Sequence, residues 1–423
     1  MIYYSRGGEN LDLSGEDLKM GLFEALKKLG TRKKILAIPP DGTRFHSRAG
    51  ELTRYVWEFY GKDLKDILPA LGTHTPMTAS EITHMYGNTP QSLFREHRWR
   101  TDVVTLGEVP AAYLNEVSEG KVNYTWPAQV NKLLIEGGHD LILSIGQVVP
   151  HEVIGFANHN KNVFVGTGGA EGINKSHFLG AAYGMERIMG RAVTPVRKVL
   201  DYASEHFSAG MPIVYVLTVL GKDNNGELKT RGLYIGDGNE CFIQAAALSL
   251  KVNFITLDKP LKKVVVYLDP SEFKSTWLGN KSIYRTRMAI DDSGELIVLA
   301  PGLKEFGEDK EIDRLIRKYG YLSTPEILDL TEKNEDLRNN LSAAAHLIHG
   351  STENRFRVTY CPGKLTKEEI ESVNYSFGDI KSMTKKYDPD KLRDGVNVMP
   401  DGEEIFYISN PALGLWAYKE KFK

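Results

Sequence analysis

DLILSIGQVVPHEVIGFANHNKNVFVGTGGAEGINKSH, residues Asp140 to His177, decides how the chain is read. It opens on an apolar run, Asp140 to Gly146, that ends in glycine. A second run, Asn162 to Gly168, ends the same way. Short apolar runs bounded by turn residues read as strands of a sheet covered on both faces. His151, His159, Lys161 and His177 lie among Gly155, Ala157, Gly166, Gly168, Gly169, Ala170 and Gly172. Histidine ligates metals and moves protons near neutral pH. Glycine lets backbone come close to a phosphate or a flat cofactor. Together they point to a cofactor site.

The same pattern extends outward. KKILAIPP (Lys33 to Pro40), DVVTLG (Asp102 to Gly107) and IVYVLTVL (Ile213 to Leu220) read as further strands. Arg48 to Leu68, Gln129 to Glu136, the HFLGAAYGMERIMGRA segment after Ser176, and Cys241 to Leu250 carry helical spacing. The alternation restarts near Leu261. KKVVVYLD (Lys262 to Asp269) and ELIVLAPG (Glu295 to Gly302) read as strands, Glu272 to Ala289 and Lys310 to Tyr319 as helices. Strands alternating with helices argue for mostly parallel sheets flanked by helices. The expectation is an α/β protein of two such domains, 1–260 and 261–423, divided in Asp258 to Lys262. Its active site is expected in the cleft between them. Lys333 to Tyr387 is more polar and harder to divide into elements.

Composition narrows the classes. At 423 residues the chain is too long for one ordinary core. Lys+Arg is 53 and Asp+Glu 55, a net charge of −2, so there is no electrostatic case for nucleic acid or a membrane surface. No apolar run approaches the roughly 20 residues that span a bilayer. The start, MIYYSRGGENLDLSG, lacks the layout of a signal peptide. The two cysteines, Cys241 and Cys361, form no CxxC pair, which argues against a disulfide framework or a thiolate zinc site. A cytoplasmic location is the expectation.

Three loops carry the chemistry. GTGGAEG (Gly166 to Gly172) misses the dinucleotide fingerprint by one residue: position 171 is Glu171 and the next glycine is Gly172. It reads as a phosphate-binding turn or as a tight turn into a helix. In PPDGTRFHSR (Pro39 to Arg48), Asp41 and Thr43 suit a turn from which Arg44 projects. An arginine offers a planar fork that grips a carboxylate. In LGTHTPMTASEI (Leu71 to Ile82), Thr78 to Glu81 is a capping box, so a helix starts there, with His74 just ahead of it.

Asp-x-Thr-Arg after a strand, Gly-Thr-His before a capped helix, Pro-His-x-x-x-Gly-Phe leading to a lysine, and a later histidine together resemble the nickel-dependent lactate racemase family. The resemblance covers most of the chain and is strongest from Lys33 to Arg191. It implies an isomerase that inverts C2 of a hydroxy acid with a nickel-pincer mononucleotide as cofactor. By position, it implies His177 as nickel ligand and Lys161 as the cofactor's tether, with Asp41 and Thr43 as further cofactor contacts. It implies His74 and His151 as the acid/base pair, and Arg44 and Lys281 as carboxylate-binding residues. Its partners would be a small hydroxy acid and the proteins that mature the cofactor. A chain made without those proteins would lack the cofactor.

The chemistry implied is coherent. Taking a proton from carbon beside a carboxylate piles charge on an anion. Taking a hydride leaves a neutral ketone, provided a histidine removes the hydroxyl proton. Return to the opposite face needs a proton carrier on the other side.

The chain also departs from the family. Where the family has Ser-Gly-Gly between Gly-Phe and the lysine, this chain has Ala157, Asn158 and His159. The family's second-domain tryptophan has no counterpart between Asn334 and Cys361, and the residues before Lys281 differ. The altered segment resembles a branch acting on sugar acids, which implies D-gluconate/D-mannonate 2-epimerase. His46, Arg48, His97, Arg98, Arg100 and His159 are candidates to contact a polyol. A lactate or other short 2-hydroxyacid racemase is the alternative. Two readings of other classes are a zinc lyase or hydrolase held by His74, His151 and His177, and a non-catalytic binder on the same fold. His346 and His349, three apart on an expected helix, read as a metal pair or as a partly buried helix face.

Overall fold

The computed structural model describes residues 1–223 and 225–422. The chain forms two compact units. The first holds Met1–Leu179 and Arg187–Asn253; the second holds Gly180–Glu186 and the chain from Phe254 onward.

In the first unit the strands are β1 (Ile2–Gly7), β2 (Ile35–Ile38), β3 (Leu64–Ile67), β4 (Val103–Val109), β5 (Trp126–Asn131), β6 (Leu141–Gln147), β7 (Pro150–His151), β8 (Gly155–Phe156), β9 (Ile213–Lys222) and β10 (Leu228–Gly236). Six of them make one sheet, in the order β1-β10-β9-β6-β2-β3. β9, β6, β2 and β3 run parallel; β1 and β10 join antiparallel at one edge. Ile35 pairs with both Leu141 and Leu64, which puts the carboxyl ends of three neighbouring strands side by side. The Asp140 carboxylate helps fix that register, accepting from the backbone N–H of Lys33 (2.8 Å) and Lys34 (3.0 Å). Helices Gly15–Lys28 and Ala49–Tyr60 bury Leu18, Leu22, Leu26, Leu52 and Val56 in one core with Ala37, Leu143 and Val216. Removing this apolar surface from water is the main stabilising term, about 25 cal/mol per Å².

In the second unit the sheet strands are β12 (Leu261–Tyr267), β13 (Ile290–Ala300), β14 (Arg357–Pro362), β15 (Ser376–Phe377), β16 (Gly395–Val398) and β17 (Glu404–Ile408). The order is β15-β14-β13-β12-β17-β16, parallel throughout except for β16 at its edge. A separate pair joins β11 (Phe254–Leu257) to β18 (Leu415–Tyr418). The fold is α/β with parallel-rich sheets flanked by helices.

Five elements differ from the sequence reading. The helix expected over residues 177–192 ends at Tyr183, ahead of Gly184 with its φ of +108°. The helix expected over Arg48 to Leu68 ends at Gly61, whose φ of +51° stops it; Leu64–Ile67 is strand β3. Leu64, Ile67 and Leu68 happen to continue the helical spacing, so periodicity alone runs past the break. Gln129 to Glu136 is the end of β5 followed by a short turn of helix, Leu133–Glu136. Asn162 to Gly168 is not a strand: Asn162–Gly166 is a π-helical turn with Val163, Phe164 and Val165 buried. A short buried apolar run does not distinguish the two. Glu272 to Ala289 breaks into Thr276–Gly279 and Lys281–Tyr284.

Gly155 is a tight point in the first unit. Its φ is +90°, and a Cβ there would sit 1.9 Å from the Arg191 carbonyl oxygen. Gly155→Ala is expected to lower stability by on the order of 3 kcal/mol, read as a drop in the urea midpoint.

Candidate active site

The chemistry-bearing loops leave the carboxyl ends of β2, β3 and β6. Open α/β sheets bind ligands at such ends. Asp41 follows β2 and caps the short 3₁₀ turn Gly42–Ser47. It is buried, and its carboxylate is fully used. Oδ1 accepts from the Thr43 N–H (3.2 Å) and hydroxyl (2.5 Å), and Oδ2 lies 2.7 Å from Nδ1 of His74. Burial pushes the Asp41 carboxyl up, but the His74 contact and the Thr43 donors outweigh it and hold it below the usual range. Thr43 therefore orients Asp41, and Asp41 orients His74.

His74 follows β3. Its loop docks on the loop after Lys161 through a Gly72 N–H to Gly166 carbonyl bond of 2.8 Å. The capping box forms as the sequence indicates: Thr78 and Glu81 satisfy each other at the start of helix Ala79–Tyr86. The His74 side chain is 58% exposed, open to a ligand on its Nε2 side.

His151 follows β6 in the small β7–β8 hairpin. It is buried, and its Nδ1 accepts the Val153 backbone N–H at 3.1 Å. Burial holds its pKa well below the usual histidine range; Glu152 opposes this, and the charges of Lys161, Arg44 and His177 reinforce it. Arg44 likewise acts on Lys161, and Lys161 on His177. Arg44, His151, Lys161 and His177 thus share one electrostatic environment. Its cations outnumber its one acid, Glu152, which suits an anionic ligand. Glu152 has no motif around it; its only sequence signal is that it follows His151.

His177 lies on helix Ala170–Tyr183. Its Nδ1 is 2.7 Å from the Ile173 carbonyl, which can only accept. The proton is therefore on Nδ1 and the Nε2 lone pair is bare, the arrangement metal-binding histidines adopt. Burial lowers its pKa, against the Ile173 carbonyl, so the ring is neutral.

Lys161 starts the π-helical turn. Desolvation first, then the charge of Arg44, brings its pKa from 10.5 down to about 8. The shift has a consequence for stability. The unfolded lysine stays charged up to about 10.5, so between pH 8 and 10.5 the unfolded chain holds more protons and stability rises with pH. Below pH 8 the full penalty remains. Lys161→Met is expected to stabilise the protein by up to about 3 kcal/mol at pH 7, with the gain fading above pH 10. Urea unfolding at both pH values checks it.

The altered loop before Lys161 is built rather than loose. Asn158 and His159 both adopt positive φ, +65° and +59°. The glycine-like backbone is retained although the glycines are not. Arg197, buried, donates to the carbonyls of Phe156 (2.8 Å) and Asn158 (3.3 Å) and to the Asn160 side chain. Asn160 in turn donates to Asp201 at 2.7 Å. His159 is stacked between Tyr215 (3.9 Å) and Phe242 (5.1 Å), with no hydrogen bond completed at either ring nitrogen.

Other candidates are accounted for by structure. Among the glycines of Gly166 to Gly172, Gly168 and Gly169 have no room for a Cβ against the Phe164 carbonyl and Gln129, and Gln129 takes the Gly172 N–H. The loop is a tight turn into the helix. His97 is buried between the Gly168 carbonyl and Asn131. Arg48 pairs with Glu51, Arg98 with Glu96, and Arg100 lies over Trp99. His97 and His159 are buried, whereas Arg98 and Arg100 are exposed. His46 is half-buried in the same 3₁₀ turn as Arg44. In the second unit His346 stacks on Trp277 and bonds Tyr321, so it is a core histidine beside His349. Lys281 begins the short helix Lys281–Tyr284, its Nζ 5.7 Å from the Phe273 ring centroid. Among the described residues no three His, Cys, Asp or Glu side chains converge as a metal set, so the three-histidine zinc site does not form. No described helix is long and apolar enough to cross a membrane.

Histidines, a lysine and an arginine thus stand near the ends of parallel strands in an α/β fold. Residues 22–187 match the family model described as the lactate racemase N-terminal domain. That match makes the chain similar over residues 22–187 to the lactate racemase family, whose members in general depend on a nickel-pincer cofactor. Two solved structures share the whole fold. A protein from Thermotoga maritima is 26% identical, with a TM-score of 0.80, over 97% of this chain and 99% of its own. The lactate racemase apoprotein from Thermoanaerobacterium thermosaccharolyticum is 16% identical, with a TM-score of 0.69, over 98% and 94%. No curated protein matches the chain.

Proposed function

We propose that this protein is an isomerase that inverts C2 of a 2-hydroxy acid, with D-gluconate and D-mannonate as its substrate pair. The observation that carries the reaction class is the set Arg44, His151, Lys161 and His177, whose charges act on one another, with His74 held by Asp41 in the loop that also carries Arg44. The aldonate reading rests on the replacement at Ala157, Asn158 and His159, close to Lys161, where Arg197 holds the Phe156 and Asn158 carbonyls. A short hydroxy acid such as lactate is the second reading.

The residues present fit the family's cofactor. His177 presents a bare Nε2 to a metal. No hydrogen bond or ion pair among the described residues holds the Lys161 ammonium, and its low pKa leaves a large fraction as free amine near pH 8. When bound, the nickel-pincer nucleotide supplies a hydride acceptor and donor. The chain's own residues do the rest. Arg44 offers its guanidinium to the substrate carboxylate. His74, backed by Asp41, takes a hydroxyl proton at Nε2, and His151 serves the other face. Cofactor-maturation proteins would be the partners, and the cytoplasm the site of action.

The test is a screen of hydroxy acids with protein matured alongside the cofactor-making enzymes, products resolved as C2 epimers. Conversion of gluconate to mannonate supports the full reading. Conversion of lactate alone overturns the aldonate assignment. Inversion of no hydroxy acid by nickel-loaded protein overturns the reaction class.

A further inference from the structure

The two histidines are not equivalent in this protein. The difference is in what each Nδ1 faces. Nδ1 of His74 faces a carboxylate oxygen at 2.7 Å. A carboxylate only accepts, so that nitrogen carries a proton, and in the neutral ring Nε2 is bare. Nδ1 of His151 faces a backbone N–H at 3.1 Å, which only donates. That nitrogen must be the acceptor, so in the neutral ring the proton is on Nε2.

We propose that Asp41 is a positioning residue that fixes His74 as the proton acceptor, while the Val153 N–H fixes His151 as the hydrogen-bond donor, so the free protein is set to receive one C2 epimer. This rests on the isomerase reading for its consequence but not for its geometry. The favoured epimer is the one whose hydroxyl meets His74. Its O–H bond breaks, the electron pair stays on oxygen, and the proton forms a new bond to Nε2. The imidazolium then stands against Asp41, whose charge offsets it. Thr43 contributes by occupying the other carboxylate oxygen, which leaves Oδ2 for the ring.

His151 cannot do the same from its resting state. Its only lone pair points at Val153, away from an incoming hydroxyl. To accept at Nε2 it must first lose that proton and carry one at Nδ1. The Val153 bond then breaks, and Glu152 Oε2, 3.8 Å from Nδ1, is the acid placed to take the new N–H. The epimer that uses His151 as base therefore meets a protein that must reset before it reacts.

The test needs neither cofactor nor substrate. In the full-length apoprotein labelled with ¹⁵N-histidine, long-range proton–nitrogen correlations report which ring nitrogen is bare. His74→Gln and His151→Gln assign the signals. The expected result is a bare Nε2 at His74 and a bare Nδ1 at His151. Asp41→Asn should shift the His74 pattern toward the other tautomer and leave His151 unchanged. The same tautomer at both histidines, or a His74 pattern indifferent to Asp41→Asn, overturns the proposal. In the loaded enzyme, Asp41→Asn should lower kcat by about 10²–10⁴-fold with little change in KM; an unchanged kcat overturns the positioning role. A protein that inverts no hydroxy acid would sink the isomerase reading while leaving the tautomer result standing.

Discussion

Replacing His177 with alanine is expected to strip nickel from the cofactor-loaded protein and reduce turnover to background. The reason lies in the ring's setting. The Ile173 carbonyl holds the Nδ1 proton, so the imidazole presents Nε2 in one fixed orientation. Burial keeps the ring neutral, which spares a metal the competition of a proton. Among the described residues no three-donor cluster offers a substitute. The measurement is nickel per chain, with thermal unfolding as control. His177 sits on helix Ala170–Tyr183, and alanine is a strong helix former, so the fold should survive. Full nickel retention in a folded His177→Ala protein would contradict the assignment.

The second large effect is expected at the acid/base pair. His74→Gln and His151→Gln should each lower kcat by about 10²–10⁴-fold while KM changes little, because proton transfer matters in the transition state. The structural cost should differ. His74 is exposed apart from its Asp41 bond, so its loss leaves stability nearly unchanged. His151 is buried and accepts the Val153 N–H, so its loss leaves that donor unpaired, at about 1–3 kcal/mol. Parallel kinetics and urea titrations separate the two. A large KM effect with unchanged kcat would instead make these histidines binding residues.

How far the chain is legible from its sequence varies by element. β2, β6 and β9 are dense aliphatic runs with abrupt polar ends, and they form where the pattern puts them. The capping box at Thr78 is a local interaction among four residues, so it too is visible. β3 is hidden because Leu64 and Ile67 continue the phase of the helix before it. The π-turn after Lys161 is hidden because Val163, Phe164 and Val165 are buried by tertiary packing, which supplies no periodic signal.

The site shows the same division. Residue types and spacing mark His74, His151, Lys161 and His177 as chemistry-bearing. Their partners are remote in sequence. Asp41 meets His74 across 33 positions and Arg197 meets Asn158 across 39, contacts that strand order creates. Asn158 and His159 are a further case. Side chains in a glycine loop suggest a stiffer or different backbone, yet positive φ persists at both, with Arg197 gripping the carbonyls of Phe156 and Asn158. Sequence shows the substitution; only the fold shows its compensation.

The central claim is inversion at C2 by removal and return of the same hydrogen. It is tested most directly with C2-deuterated gluconate and nickel-loaded protein in ordinary water, the mannonate formed being analysed for deuterium. Deuterium retained at C2 of the product is the expected result, since a hydride held in the site does not exchange with solvent. Mannonate formed with its C2 deuterium washed out would mean proton abstraction from carbon and would contradict the account.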